Sequence, residues 1–140
     1  MIQIKNISSY DEWLNYKSKH DHDTHKYIFQ VSATWCKPCV ALKPLLLDFL
    51  ESLKTKNEIS QNISFIMLDY DIYNEESEFQ QIFSIIKIPH FSFYFQDKSI
   101  INIETSKFEE IKEQIINFIN ENNDNNNTNN TNNFTLSDDF

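Results

Sequence analysis

Trp35-Cys36-Lys37-Pro38-Cys39 is the stretch on which the reading of this chain turns. It contains the two cysteines of the 140-residue sequence, two residues apart. Two such neighbours cannot form the disulfide framework of a small secreted protein. A zinc site needs about four ligands, and one pair supplies half of them. The histidines of His20-Asp21-His22-Asp23-Thr24-His25 lie in a polar connection and read as solvated, so no metal is expected. A purely structural pair of buried cysteines is the other bland reading. Against both stands the local pattern: the pair opens a helix directly after an apolar strand, where Cys-x-x-Cys is a redox signature.

That placement has physical consequences. Two intervening residues bring the sulfurs together across the first helical turn, close enough to bridge without moving the backbone. Cys36 meets the free N–H groups and positive end of the helix, which favour a thiolate over the free thiol, whose pKa is about 8.5. Cys39, one turn inside, is expected to be more buried and to keep its proton longer. Cys36 is therefore assigned as nucleophile and Cys39 as the resolving thiol. Pro38 suits a first helical turn, where a missing N–H costs little.

Moving outward, Ile2 to Lys5 alternates as a short strand, and Ser9-Tyr10-Asp11-Glu12 matches a capping box that opens a helix. Tyr27 to Val31 is almost continuously apolar, as a strand covered on both faces should be. Behind the cysteines, Cys39, Leu42, Leu46, Phe49 and Leu53 follow a helical period, with Pro44 removing one backbone bond. Ile63 to Leu68 is a second buried strand, and Glu75 to Ile85 is expected to be helical with Phe79, Ile82 and Phe83 inward. After Pro89, Phe91 to Phe95 and Ile100 to Ile103 form a hairpin. Ser106-Lys107-Phe108-Glu109 is a second capping box, opening an amphipathic helix. Residues 1–120 thus form one α/β domain. Nine of the last 20 residues are Asn, so 121–140 reads as a disordered, acidic tail.

The formal net charge is −9, and Arg and Gly are both absent. Such a chain is a poor nucleic-acid binder. The start Met1-Ile2-Gln3-Ile4 carries no apolar leader, and no segment is long enough to span a membrane, so a reducing, cytoplasmic setting is expected.

Together, Trp-Cys-x-Pro-Cys at 35–39, Pro44 five residues beyond Cys39, and Ile88-Pro89 before an apolar strand resemble the thioredoxin family over residues 1–120. The resemblance implies a thioredoxin fold: a central five-stranded mixed sheet flanked by helices on both faces. It implies a cis peptide at Ile88-Pro89 beside the cysteines, with backbone near Ile88 pairing to a substrate segment. Trp35 then borders the active surface, or packs on a core edge, or does both. Four positions depart from the family. Gln30 replaces a buried Asp that assists proton transfer, and Met67 replaces its neighbouring Lys. Lys37 replaces a Gly, and either favours the Cys36 thiolate or simply points to solvent. His90 replaces a Thr, and either titrates near the sulfurs or covers the strand edge. Two family glycines are also missing: Asp97-Lys98 stands at the hairpin turn, with left-handed strain at Lys98 or a different turn type, and a side chain at Glu104 or Thr105 narrows the docking groove.

The expected function is that of a monomeric thiol–disulfide oxidoreductase acting on protein disulfides. It needs no bound cofactor beyond the Cys36–Cys39 couple. A thioredoxin-reductase-like flavoenzyme, drawing on NADPH, recharges it. Two rivals remain: an adaptor module of the same fold with little turnover, and a secretory oxidase or isomerase, which requires a leader upstream of Met1.

Overall fold

The computed structural model describes residues 2–55 and 62–121. The expected tail therefore lies outside the described residues, apart from Glu121. The elements run β1 (Ile2–Ile7), α1 (Tyr10–Ser18), β2 (Lys26–Ser32), α2 (Lys37–Lys54), β3 (Ile63–Asp69), α3 (Tyr70–Glu75), β4 (His90–Phe95), β5 (Lys98–Ile103) and α4 (Phe108–Asn120). The five strands form one sheet in the order β1-β3-β2-β4-β5. β1, β3 and β2 are parallel, while β4 runs antiparallel to β2 and to β5. This is the five-stranded mixed sheet that the family resemblance implies.

Alternation along the central strands builds two apolar layers. Ile28, Phe65, Phe91 and Phe93 face Leu42, Leu46 and Leu50 of α2 and Ile111, Ile115 and Phe118 of α4. Tyr27, Phe29, Val31, Ile66 and Leu68 face the opposite way, toward Trp13, Tyr73, Phe79 and Phe83. Trp13 is fully enclosed and meets the rings of Tyr27, Phe29 and Tyr94 edge-on at 4.9, 4.8 and 5.5 Å. The strand ends that carry the cysteine motif are thus fixed by packing on both faces of the sheet.

Several local expectations are corrected. The helix expected at Glu75–Ile85 lies earlier: Asp69 ends β3 and caps α3 by accepting the Asp71 N–H at 2.8 Å. A single 3₁₀ turn, Phe79–Gln81, follows, and residues 83–89 are irregular. The β-branched residues Ile82, Ile85 and Ile86 before Pro89 are weak helix formers there. Phe79 and Phe83 are nevertheless buried as expected. Leu50 takes the core place expected of Phe49, which sits at the margin against Phe108. The first capping box is present in part: Ser9 Oγ accepts the Glu12 N–H, but Glu12 turns its carboxylate to Ser8. At the second, Ser106 does not cap; Thr105 Oγ1 accepts the Lys107 N–H one residue before α4.

The hairpin turn also differs from expectation. Gln96 and Asp97, not Lys98, take positive φ, at 51° and 65°, the signs of a two-residue type I′ turn. Asp tolerates that conformation better than most residues. The Asp97 carboxylate is held by Lys17 Nζ at 3.0 Å, the Tyr94 hydroxyl at 3.2 Å and His22 Nε2 at 3.0 Å.

The histidine connection is not uniformly solvated. His22 is exposed, whereas His25 is buried, with its Nε2 at 2.7 Å from Ser64 Oγ. Burial, with His20 beside it, pushes His25 down to about 4, so the ring is neutral at physiological pH. Among the described residues, no group of three or more His, Cys, Asp or Glu side chains is placed to hold a metal ion.

Lys26 is the buried charge that the apolar pattern of β2 hides. It is 1% exposed, and its Nζ donates to the carbonyls of Phe118 and Glu121 at the end of α4. The last carbonyls of a helix lack donors within it, and a cation is favoured at that end. Burial pushes Lys26 down to about 8. Because this lies below the unfolded value, the penalty on the charged form is full below pH 8. It lifts as pH rises from about 8 to the unfolded lysine value near 10.4. Lys26→Met removes the donor to both carbonyls and is expected to cost about 1–3 kcal/mol at pH 7. Because the penalty on the charged lysine lifts only at higher pH, the gap to the unaltered chain should widen across that window. Urea unfolding at several pH values measures it; a gap that stays flat contradicts the assignment.

Candidate active site

β2 ends at Ser32, and four residues later Cys36 becomes the N-cap of α2 with φ −94° and ψ 105°. Its N–H bonds the Ala33 carbonyl at 3.2 Å, and its own carbonyl accepts the Val40 N–H at 3.0 Å, so the motif is held at both sides. Cys36 and Cys39 are joined as a disulfide with Cα atoms 5.2 Å apart. Cys36 Sγ accepts the Cys39 N–H at 3.3 Å, the bond that an N-cap side chain makes. Cys39 is the more buried of the two, at 3% exposure against 7%. Pro38 occupies the first turn, and Pro44 lies inside the helix.

On the other side stands the loop before β4. The Ile88-Pro89 peptide is cis, and the Ile88 carbonyl oxygen lies 4.0 Å from Cys36 Sγ. Ile88 and Tyr70, both half-buried, pack against Ala33, Cys36 and Cys39. Trp35 is 63% exposed and meets the Tyr70 ring edge-on at 6.2 Å. Lys37 is exposed. The pair thus sits on a rim of apolar side chains with one backbone carbonyl facing the outer sulfur.

Gln30 and Met67 are direct register partners on β2 and β3, on the sheet face that α2 covers. Gln30 is 1% exposed, and its Oε1 has no hydrogen-bond partner among the described residues. A neutral amide opposite a thioether spares this interior a buried ion pair, whose desolvation is costly. The two departures are therefore one spatial change.

His90 points to the opposite face of the sheet. It is 1% exposed, with Nδ1 at 2.8 Å from Glu104 Oε2 and Nε2 at 3.1 Å from Asn102 Oδ1. Its ring stacks on Phe83 at 5.2 Å, Phe83 on Tyr73 at 5.5 Å, and Tyr73 on Tyr70 at 6.1 Å. With Trp35 at the far end, a run of rings connects the residue after Pro89 to the residue before Cys36. The sequence motifs miss this run and the Asn102 contact, because both join residues far apart in the chain. The one available signal was Glu104 standing near a glycine position of the family.

The thioredoxin family model matches residues 8–121. Thioredoxin H-type 1 of Nicotiana tabacum is 23% identical over 114 residues, covering 81% of this chain and 82% of its own. Among solved structures, a poplar thioredoxin h has a TM-score of 0.68 at 19% identity, covering 85% of this chain and 98% of that one. The thioredoxin of Malassezia sympodialis has a TM-score of 0.61 at 23% identity, covering 85% and 96%. At these identities the structural likeness speaks for the fold alone.

The buried amide yields a direct test. Gln30→Asp restores a group that takes a proton, and should speed disulfide reduction near pH 7. The gain should be smaller than the about 10²-fold typical of a well-placed acid–base group, because Met67 offers no cation to the new carboxylate. Insulin reduction by the purified variant measures it, and an unchanged rate contradicts a tuning role for position 30.

Proposed function

The chain belongs to the thioredoxin family, and from that premise we propose that it is a thiol–disulfide oxidoreductase that reduces disulfides of other proteins. The observation that carries this reading is Cys36 Sγ at the start of α2, bonded to the Cys39 amide and facing the Ile88 carbonyl. In the reduced protein, the Cys36 thiolate attacks one sulfur of a substrate disulfide. The substrate's other sulfur leaves as a thiolate and takes up a proton. The Cys39 thiolate then attacks the Cys36 sulfur of the mixed disulfide and releases the second substrate thiol. Two electrons and two protons pass to the substrate, and the Cys36–Cys39 disulfide remains.

Trp35, Ile88 and Pro89 form the docking rim in this proposal. Pro38 shapes the helix start, while Gln30, Lys37 and His90 tune the site. The working unit is residues 1–120, acting as a cytoplasmic monomer. A thioredoxin-reductase-like flavoenzyme restores the dithiol with electrons from NADPH; flavin and NADPH belong to that enzyme. Among the described residues, no helix is long and apolar enough to cross a membrane.

The adaptor reading draws on one observation: Gln30 and Met67 leave no proton-transferring side chain at the position where the family has one. Insulin reduction separates the two. Turnover with dithiothreitol that vanishes in Cys36→Ser supports the oxidoreductase, and its absence in the unaltered chain supports the adaptor. Cys39→Ser is further expected to hold substrates as mixed disulfides on Cys36, seen as adducts that dithiothreitol releases. No adduct on Cys36 in that variant contradicts the mechanism.

A further inference from the structure

Residues 83–89, which carry the Ile88 carbonyl to the disulfide, belong to no helix or strand. Such a segment lacks the ladder of bonds that fixes a strand, so its position depends on side chains. Glu104, between β5 and α4, supplies them. Its Oε2 accepts the Ile86 N–H at 2.8 Å and lies 2.8 Å from His90 Nδ1. One carboxylate therefore grips the loop on both sides of the cis Ile88-Pro89 bond.

The grip is built into the fold. The Glu104 side chain is 18% exposed. Burial works to raise its pKa, but the Ile86 amide, His90 and the Lys87 amide outweigh it and hold the carboxyl below its ordinary value. His90 is itself braced by Asn102 and by stacking on Phe83. The Ile86 side chain, by contrast, is 90% exposed, so the clamp takes the backbone and leaves the loop's outer face free.

We propose that Glu104 is a positioning residue that sets substrate selectivity: it fixes the Ile86–Ile88 backbone so that an extended protein segment is gripped beside Cys36. The proposal rests on the oxidoreductase reading above and deepens it. A protein disulfide arrives within a chain whose backbone must align with this loop. A small disulfide needs only the sulfurs. Loosening the loop therefore penalises the first and spares the second.

The test compares insulin with the small disulfide 5,5′-dithiobis(2-nitrobenzoate), for the unaltered chain, Glu104→Ala and Glu104→Gln. Glu104→Ala should raise KM for insulin about 10-fold, which corresponds to about 1.4 kcal/mol of lost docking. Its kcat, and its rate with the small disulfide, should change less than about 2-fold, since neither depends on docking energy of this kind. Amide exchange at Ile86 should quicken in the same variant. Glu104→Gln keeps one carbonyl acceptor and the side-chain size, should fall between the two, and carries the test if the alanine variant does not fold. Equal losses with both substrates, or no change with either, overturn the proposal while leaving the oxidoreductase reading intact. An unaltered chain that reduces neither substrate overturns both.

Discussion

The structure turns on one hydrogen bond: the Cys39 N–H donating to Cys36 Sγ at the start of α2. A helix begins with amides that have no partner within it, and here a sulfur takes one of them. For that sulfur to be there, β2 must stop at Ser32, and the chain must turn through Ala33, Thr34 and Trp35. α2 must in turn lie firmly on the sheet, which Leu42, Leu46, Leu50 and Leu53 ensure. The remaining constraint is that something faces the sulfur from outside, and the cis Ile88-Pro89 loop brings a carbonyl to 4.0 Å.

The absence of glycine gives this site its individual character. Where a backbone must take positive φ, Gln96 and Asp97 do so, and the Asp97 carboxylate is tied to α1 and to the histidine connection. Beside the cis Ile88-Pro89 bond, the Glu104 carboxylate accepts the Ile86 N–H and lies 2.8 Å from His90 Nδ1. Beneath α2, Gln30 and Met67 change together because they face each other across paired strands.

How much of this was legible in the sequence depends on the range of the interaction. The Cys36–Cys39 pair, Pro38, Pro44 and the strands either side of them are local patterns, and they indicated the sheet and the helix start correctly. Phe79 and Phe83 were recognised as core residues although the helix expected around them is a single 3₁₀ turn, because burial follows the apolar residues rather than the helix type. Lys26 was invisible: nothing near it in sequence shows that the carbonyls of Phe118 and Glu121 will lie above it. His25 reads as a loop histidine until Ser64, 39 residues away, is seen to meet it. The run of rings from His90 to Trp35 likewise joins four segments of chain that only folding brings together.

The central claim is that the helix start makes the two cysteines chemically unequal. Its most direct measurement is the pH dependence of iodoacetamide alkylation of the reduced protein, with the labelled residue identified by peptide mass. Cys36 should label first, with a midpoint below the about 8.5 of a free cysteine, while Cys39 stays protected. Equal labelling of the two, or a Cys36 midpoint at or above the free value, would contradict the account.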